Sequence, residues 1–254
     1  MTTVTYERSG RVATVSLNRP ERLNAISTGL VEDLHQALVE AHADESTDVI
    51  VLRGEGRAFC AGDDLKEFDD QARNPATVDR HVLGIQQITR DLMFGPKFVV
   101  GAIRGYAVGG GFEWMLNCDL TVAGDDLVAF FPEMDWGQFV TGGVTHLLPL
   151  AVGYQRAMEL LVLGERHSAE DLLRLGLVNR VVPAAAVDDR AREIAERVAG
   201  KSSKSVADLK RLVTRGTSSA LVAALEQEQE RTLAAFRRPE ARERVKRFEE
   251  RRDS

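Results

Sequence analysis

Cysteine is nearly absent: Cys60 and Cys118 are the only two in 254 residues. Both lie in apolar stretches, which excludes a disulfide framework and predicts buried, reduced thiols in a reducing compartment. Long hydrophobic runs are missing too, since no uninterrupted apolar segment approaches the roughly 18 residues of a membrane-spanning helix. No charged-then-apolar leader is read at the start, so a cytoplasmic protein without membrane attachment is expected. Excess positive charge is also lacking. The formal net charge of -6 argues against a dedicated nucleic-acid or anionic-membrane surface. Histidine is scarce, and His35, His42, His81 and His167 have no second ligand at metal spacing, so surface or packing roles and no metal are expected. There is no Walker phosphate loop, no G-x-G-x-x-G opening a βαβ unit and no G-x-S-x-G elbow. Phosphate-loop, dinucleotide, zinc and serine-hydrolase chemistry are thereby set aside.

What is present suits a globular core. With 44% hydrophobic and 28% charged residues, the chain can bury one α/β unit with an appendage. Val4 to Leu17 alternates apolar and polar residues around Ser9-Gly10, a hairpin signal. Ser27 is placed to cap a helix whose Leu30, Val31, Leu34, Leu38 and Val39 share one face. Asp48 to Arg53 reads as a strand buried on both faces, and a glycine-punctuated loop then runs into a helix at Leu65. The polar stretch from Asp69 to Asn74 reads as a mobile surface segment. A helix is expected from Thr77 to Met93, with Val82, Ile85, Ile88 and Leu92 inward and Gly95-Pro96 as its stop. Short strands follow at Leu120 to Val122 and Leu127 to Phe131.

Strands alternate with helices through Val178, which predicts a mixed α/β core with crossover connections. The strand–loop–helix unit recurs around Val51, Val100 and Val122, hinting at a spiral of turns without a visible sequence repeat. After Pro183 the pattern is helical, over Asp188 to Ala199, Val206 to Arg215 and Ser218 to Phe236. Leu221, Leu225 and Leu233 stand among Glu and Arg and need something to pack against, so a partner subunit is expected.

The organising stretch is VVGAIRGYAVGGGFEWMLNC, Val99 to Cys118. It reads as strand, glycine turn and helix start, with Glu113 in the first helical turn. Gly109, Gly110 and Gly111 remove every β-carbon from the turn. A ligand can then lie against backbone N–H groups at the positive end of a helix, a place suited to an anion or to a carbonyl becoming one.

The segments NRPERLNAIS, GRAFCAGDDLKEF, GYAVGGGFEWMLNCDL, FPEMDWG and ELLVLGERHSAEDLLRLGLVNRVVP together resemble the enoyl-CoA hydratase/isomerase, or crotonase, superfamily. They run almost end to end in the family's order. The resemblance implies an α/β fold, a crotonase-like spiral of repeated ββα units over residues 1–183, followed by a C-terminal helical trimerisation region over 184–254. It implies a homotrimer or a dimer of trimers, a homohexamer, and acyl-CoA thioester substrates of fatty acid metabolism. No cofactor is implied beyond the coenzyme A of the substrate.

By matching position, the resemblance implies an oxyanion hole formed by the backbone N–H groups of Asp63 and Gly110, with Glu113 and Glu133 as the acid–base pair. Coenzyme A would be cradled by the loops holding Arg22 and Ala25, and Ala61, Asp64, Leu65 and Lys66, together with Gly109. Arg22 and Lys66 are either phosphate contacts or solvated cations. Asp63 departs from the small residue often found there and is expected to point to solvent. Having both glutamates favours a hydratase that converts an enoyl-CoA into the 3-hydroxyacyl-CoA, with Glu133 the larger proton donor and Glu113 the larger water activator.

Phe112, Trp114, Phe130 and Phe131 suggest a dry site that raises a carboxyl pKa, while the helix N-terminus near Glu113 pulls it down. The sequence leaves that contest open. It also departs from the family at VTGGVTHLL, Val140 to Leu148, where Thr141 replaces a glycine and His146 and Leu147 replace a Gln-Arg pair. Reaction type therefore stays open, the alternatives being a Δ3,Δ2-enoyl-CoA isomerase or another acyl-CoA lyase or hydrolase. His146 reads as a packing residue or a third acid–base group. Asp135 and Trp136 stand beside Glu133, Trp136 mainly as packing. From another class, the arginine-rich RRPEARERVKRFEERR raises RNA binding, but its interspersed glutamates read as a solvated amphipathic helix.

Overall fold

A computed structural model describes residues 2–67 and 75–252. The stretch from Asp69 to Asn74 lies outside the described residues. The chain opens with the expected hairpin: β1 (Val4–Ser9) pairs antiparallel with β2 (Val12–Leu17), Ser9 facing Val12. Gly10 turns it at φ 61. β3 (Val49–Gly54), β4 (Phe98–Ile103), β6 (Leu120–Gly124) and β9 (Arg180–Val182) then add in parallel, giving the order β1-β2-β3-β4-β6-β9. A smaller sheet holds β5 (Tyr106–Val108), β7 (Val128–Phe130) and β8 (His167–Ser168).

The two sheets explain the recurring unit. Single bridges join Ile26 to Asp63 and Cys60 to Ala107, extending the row of β5 and β7 across earlier parts of the chain. After β2, β3 and β4 the chain crosses to this second row, and a helix returns it. The returns are α1 (Thr28–Ala43), α2 (Pro75–Phe94) and α3 (Gly110–Asn117). Residues 65–67 are helical.

Local sequence sets the helices. The Ser27 hydroxyl accepts from the Leu30 N–H at 3.2 Å, and Leu30, Val31, Leu34 and Leu38 are buried. Val39, one residue past the stripe, turns outward and is 42% exposed, a correction that follows from roughly 100° of rotation per residue. In α2 the expected Val82, Ile85, Ile88 and Leu92 are all buried. Cys60 is buried and Cys118 only partly so, both as free thiols. Burial pushes the Cys60 thiol up to about 12 and raises Cys118 as well.

α4 (Val144–Val152), α5 (Tyr154–Leu163) and α6 (Ala169–Leu175) follow, the last opened by a Ser168–Asp171 capping box. α7 (Val187–Ala199) lays Val187, Ala191 and Ile194 on Val49, Val51, Val100 and Val122 of the large sheet. α8 (Ser203–Phe236) is one continuous helix, where the sequence suggested two segments. A glycine inside a helix costs about 1 kcal/mol relative to alanine, and at Gly216 packing along both flanking stretches outweighs that. Leu221 and Leu225 are fully buried, and Leu221 lies against Gly143. They pack on their own chain, not on a partner. The apolar side chains left exposed on α8 are Leu209, Leu212 and Val213. α9 (Pro239–Arg252) is amphipathic as read, and its Ala241 and Val245 are buried. Val245 clusters with Val78, Val82 and Phe236.

Candidate active site

The glycine turn joins β5 to α3. Gly109 has φ 52 and ψ -122, a conformation that L side chains rarely adopt. A β-carbon there would collide with Glu133 Oε1, so glycine is what lets the Pro132-Glu133 step close on the turn. The Gly109 N–H donates to Phe130 O at 3.0 Å. Gly110, first residue of α3, has no carbonyl one helical turn behind it. Among the described residues its N–H has no acceptor.

A second amide meets this turn from the Cys60–Asp64 segment. Ile26 N–H donates to Gly62 O at 2.8 Å and Asp64 N–H to Ile26 O at 2.9 Å. The intervening Asp63 N–H therefore points away from Ile26, because successive amides of an extended chain face opposite sides. On that side Val108 N–H donates to Cys60 O at 3.0 Å, next to Gly109. Asp63 and Gly110 line one inner cavity of about 30 Å³, together with Glu133 and Thr141.

The two glutamates flank the same turn. Phe112 and Phe131 stack with ring centroids 4.5 Å apart, fixing the start of α3 against the segment that carries Glu133. Glu113 is fully buried. Thr141 donates its N–H to Oε1 at 2.9 Å and its hydroxyl to Oε2 at 3.1 Å, so the residue that replaces the family's glycine holds the carboxyl directly. Burial, followed by the nearby Glu228 carboxyl, pushes Glu113 up to about 8. Glu133 Oε2 is buried without a partner among the described residues. Burial first, then the Glu113 charge, raises Glu133 well above the ordinary carboxyl range. Desolvation thus wins over the helix N-terminus at Glu113 and raises Glu133 as well.

Sequence reading missed Glu228. From α8 it accepts from the N–H groups of Gly143 at 2.7 Å and Thr145 at 2.9 Å, and from the Thr145 hydroxyl at 2.6 Å. The signal was present, since Leu221, Leu225, Glu228 and Thr232 form a single buried stripe. Asn117 Nδ2 adds a bond to Gly142 O at 3.3 Å. A β-carbon at Gly142 would meet Glu113 Oε2 at 2.9 Å, so this loop can approach the carboxyl only as glycine.

His81 is also buried, and its Nε2 lies 3.2 Å from Asp63 Oδ1. Asp63, expected to face solvent, has a side chain 40% exposed and tethered to that imidazole. His81 shares the inward face of α2 with Ile85 and Ile88, and that was its signal. Trp136 lines both the cavity and an outer cleft, and Asp135 lines the cleft. His146 lines neither.

Asp63, Leu65, Pro132 and Trp136 connect the cavity to that cleft of about 1080 Å³. Of the expected coenzyme residues, Arg22, Ala25, Ala61, Asp64, Leu65 and Lys66 line the cleft, whereas Gly109 lines the inner cavity. Asp64 is buried between Arg19 at 3.0 Å and Arg22 at 2.9 Å. Burial pushes its carboxyl up, but the two guanidiniums outweigh burial and hold it low. It braces the loop, and Arg22 is partly committed to it. Arg57, Arg166, Arg244 and Arg247 bring further positive charge to the cleft; no spacing signal joins them, because they come from three separate segments, the last two from α9.

Fold and site define a class: a two-sheet α/β spiral in which two unpaired amides and the buried Glu133 line one cavity, with the buried Glu113 carboxyl behind its Gly110 and Thr141 walls. Such a set can stabilise a carbonyl oxygen as it gains charge while protons move on and off carbon. The chain belongs to the enoyl-CoA hydratase/isomerase family, matching it over residues 7–254. It is 36% identical over 211 residues to the Dictyostelium discoideum protein named "Probable enoyl-CoA hydratase, mitochondrial", covering 83% of this chain and 75% of that one. It is 30% identical over 230 residues to the short-chain-enoyl-CoA hydratase of Clostridium acetobutylicum, covering 89% and 87%. The structure resembles an enoyl-CoA hydratase from Bacillus halodurans with a TM-score of 0.90 at 26% identity, covering 96% of this chain and 99% of that chain.

Proposed function

We propose that this protein is an enoyl-CoA hydratase, adding water across the α,β double bond of a short enoyl-CoA to give the 3-hydroxyacyl-CoA. The observation that carries the reading is the meeting of Glu113, Glu133 and the unpaired amides of Asp63 and Gly110 around one glycine turn. The thioester oxygen would sit between the amides, which favour the enolate over the ground state; losing one such donor costs about 3–4 kcal/mol of barrier. Glu113, the less strongly raised of the pair, takes a proton from water as the water oxygen bonds to the β-carbon. Glu133, held protonated, gives its proton to the α-carbon. A proton and a hydroxide are added and no electrons change hands, so the reading calls for no redox cofactor. Amides and carboxyls supply electrophile, base and acid, so it calls for no metal either.

The large cleft supports coenzyme A binding, its phosphates meeting Arg22, Lys66 and the other guanidiniums at its rim. We place the catalytic spiral in residues 1–183 and an assembly role in 184–254, with the chain as a homotrimer or dimer of trimers. Exposed Leu212 and Tyr154 support that assembly. A cytoplasmic site of action fits the acidic composition and the two free cysteines. No helix among the described residues is long and apolar enough to cross a membrane.

One observation favours a second reading. Thr141 bonds both oxygens of Glu113, which leaves that carboxyl less free to hold a water and suits an isomerase that shuttles a proton from Glu133 alone. Incubation with but-2-enoyl-CoA and but-3-enoyl-CoA, with product masses, decides. Gain of one water on the α,β-unsaturated thioester is expected. Migration of the β,γ double bond without water uptake would make the protein an isomerase, and turnover of neither substrate would sink both readings.

A further inference from the structure

Beside Glu133 the inner cavity has apolar walls supplied by Leu65, Val82, Ile85, Phe139, Phe236 and Val245. A plain hydrocarbon chain would need nothing else. Yet Gln138 lines the same space, 9% exposed, and neither Oε1 nor Nε2 of its amide has a partner among the described residues. His81 lines it as well, with Nδ1 buried and unpartnered. The remaining polar side chains at that end are engaged, Thr141 with Glu113 and Thr232 with Val140 O at 3.4 Å. Unpaired buried amides are strongly disfavoured, so a site that keeps one is matched to something that arrives with the ligand.

We infer that the acyl group this site takes carries an uncharged hydroxyl beyond the double bond, bonded by the Gln138 amide and the His81 imidazole. The inference rests on the hydratase reading and adds the substrate class to it. The charge of the group follows from its neighbours. Glu133 and Asp63 line the cavity with carboxyls, and Glu113 lies just behind Thr141, which disfavours a substrate carboxylate. The pair offers a donor, the Gln138 amide Nε2, beside an acceptor, the His81 Nδ1, and the smallest uncharged substituent that takes from the one and gives to the other is a hydroxyl. A carboxylate has no proton to give His81 Nδ1, and an ammonium has no lone pair to take the Gln138 Nε2–H. The Nε2 of His81 lies 3.2 Å from Asp63 Oδ1; with the proton there, Nδ1 is a bare acceptor that can take the substrate O–H.

The test compares matched thioesters on the full chain: but-2-enoyl-CoA with 4-hydroxybut-2-enoyl-CoA, and pent-2-enoyl-CoA with 5-hydroxypent-2-enoyl-CoA. The hydroxylated member of at least one pair is expected to show a kcat/KM roughly tenfold or more above its plain partner, since sites built to bond a hydroxyl discriminate strongly against its absence. In Gln138→Leu and Gln138→Met, that ratio is expected to fall toward one. Equal or inverted preference in the native protein overturns the inference and needs no variant. Unchanged ratios in folded variants, or losses equal on both members of a pair, also overturn it; equal losses would assign Gln138 to the attacking water. No hydration of any of the four thioesters would instead be the failure of the hydratase reading.

Discussion

Two carboxyls that cannot both ionise cheaply decide the chemistry at the scale of single residues. Burial and the Glu228 charge push Glu113 up to about 8, burial and the Glu113 charge raise Glu133 well above the ordinary carboxyl range, and the pair titrates as a unit. Hydration needs one carboxylate and one carboxylic acid. The kcat/KM is therefore expected to rise with pH up to about 8, as the pair loses its first proton, and to fall once it loses the second. Glu113→Gln should abolish the rising limb and lower kcat by about 10²–10⁴ with a much smaller change in KM. A variant that keeps near-native kcat ends the two-carboxylate mechanism. Stability gives an independent readout. The folded state keeps a proton that the unfolded chain loses near 4.5, so this contribution is fully present below 4.5 and is lost as pH rises through about 8. Thermal unfolding should accordingly show Glu113→Gln gaining on the native protein from pH 5 to pH 8, and a variant that loses ground to the native protein over that range would contradict the burial of a protonated Glu113.

Between elements, α8 reaches across the fold and sets the electrostatics of α3. Glu228 bonds Gly143, 85 residues away in sequence, and its charge is the second cause of the raised Glu113. Glu228→Gln removes that charge while keeping the side-chain shape, so the rising limb of the pH–rate profile should move to lower pH. A purely structural role would lower kcat and leave the limb in place, and such a profile would refute the coupling. The same geometry explains what was legible beforehand. Strands, the Ser27 cap and the inward stripe of α2 follow from periods of 2 and 3.6 residues, which are local. The glycine turn, Glu113 and Glu133 were legible because their order along the chain matches a family. Glu228, His81 and Gln138 act through contacts between distant elements, where local pattern carries little. Even there a polar residue on an apolar stripe, as Glu228 is between Leu225 and Thr232, was readable as a buried group in need of donors. The continuity of α8 through Gly216 was not, because tertiary packing overrode a local weakness.

At the scale of the whole molecule, the apolar surface is not spent on the active site. Leu209, Leu212 and Val213 stand exposed on α8, and Tyr154, Met158 and Val162 on α5. Spacings of three and four residues put each trio on one helical face, and apolar patches of this kind mark association surfaces. The proposed trimer should thus appear in native mass spectrometry as a multiple of three chains of 28.0 kDa, with a thermal midpoint that rises with protein concentration. Leu212→Glu combined with Met158→Glu places like charges on both stripes and should shift the mass toward the single chain. The effect on catalysis follows from continuity, since the exposed half of α8 is the same rigid rod that carries Glu228 to Gly143, and Thr232 and Phe236 to the cavity. Loss of assembly should loosen that rod and lower kcat along with the mass. A native protein that stays a single chain at micromolar concentration with full activity would leave these stripes without the assembly role given to them here.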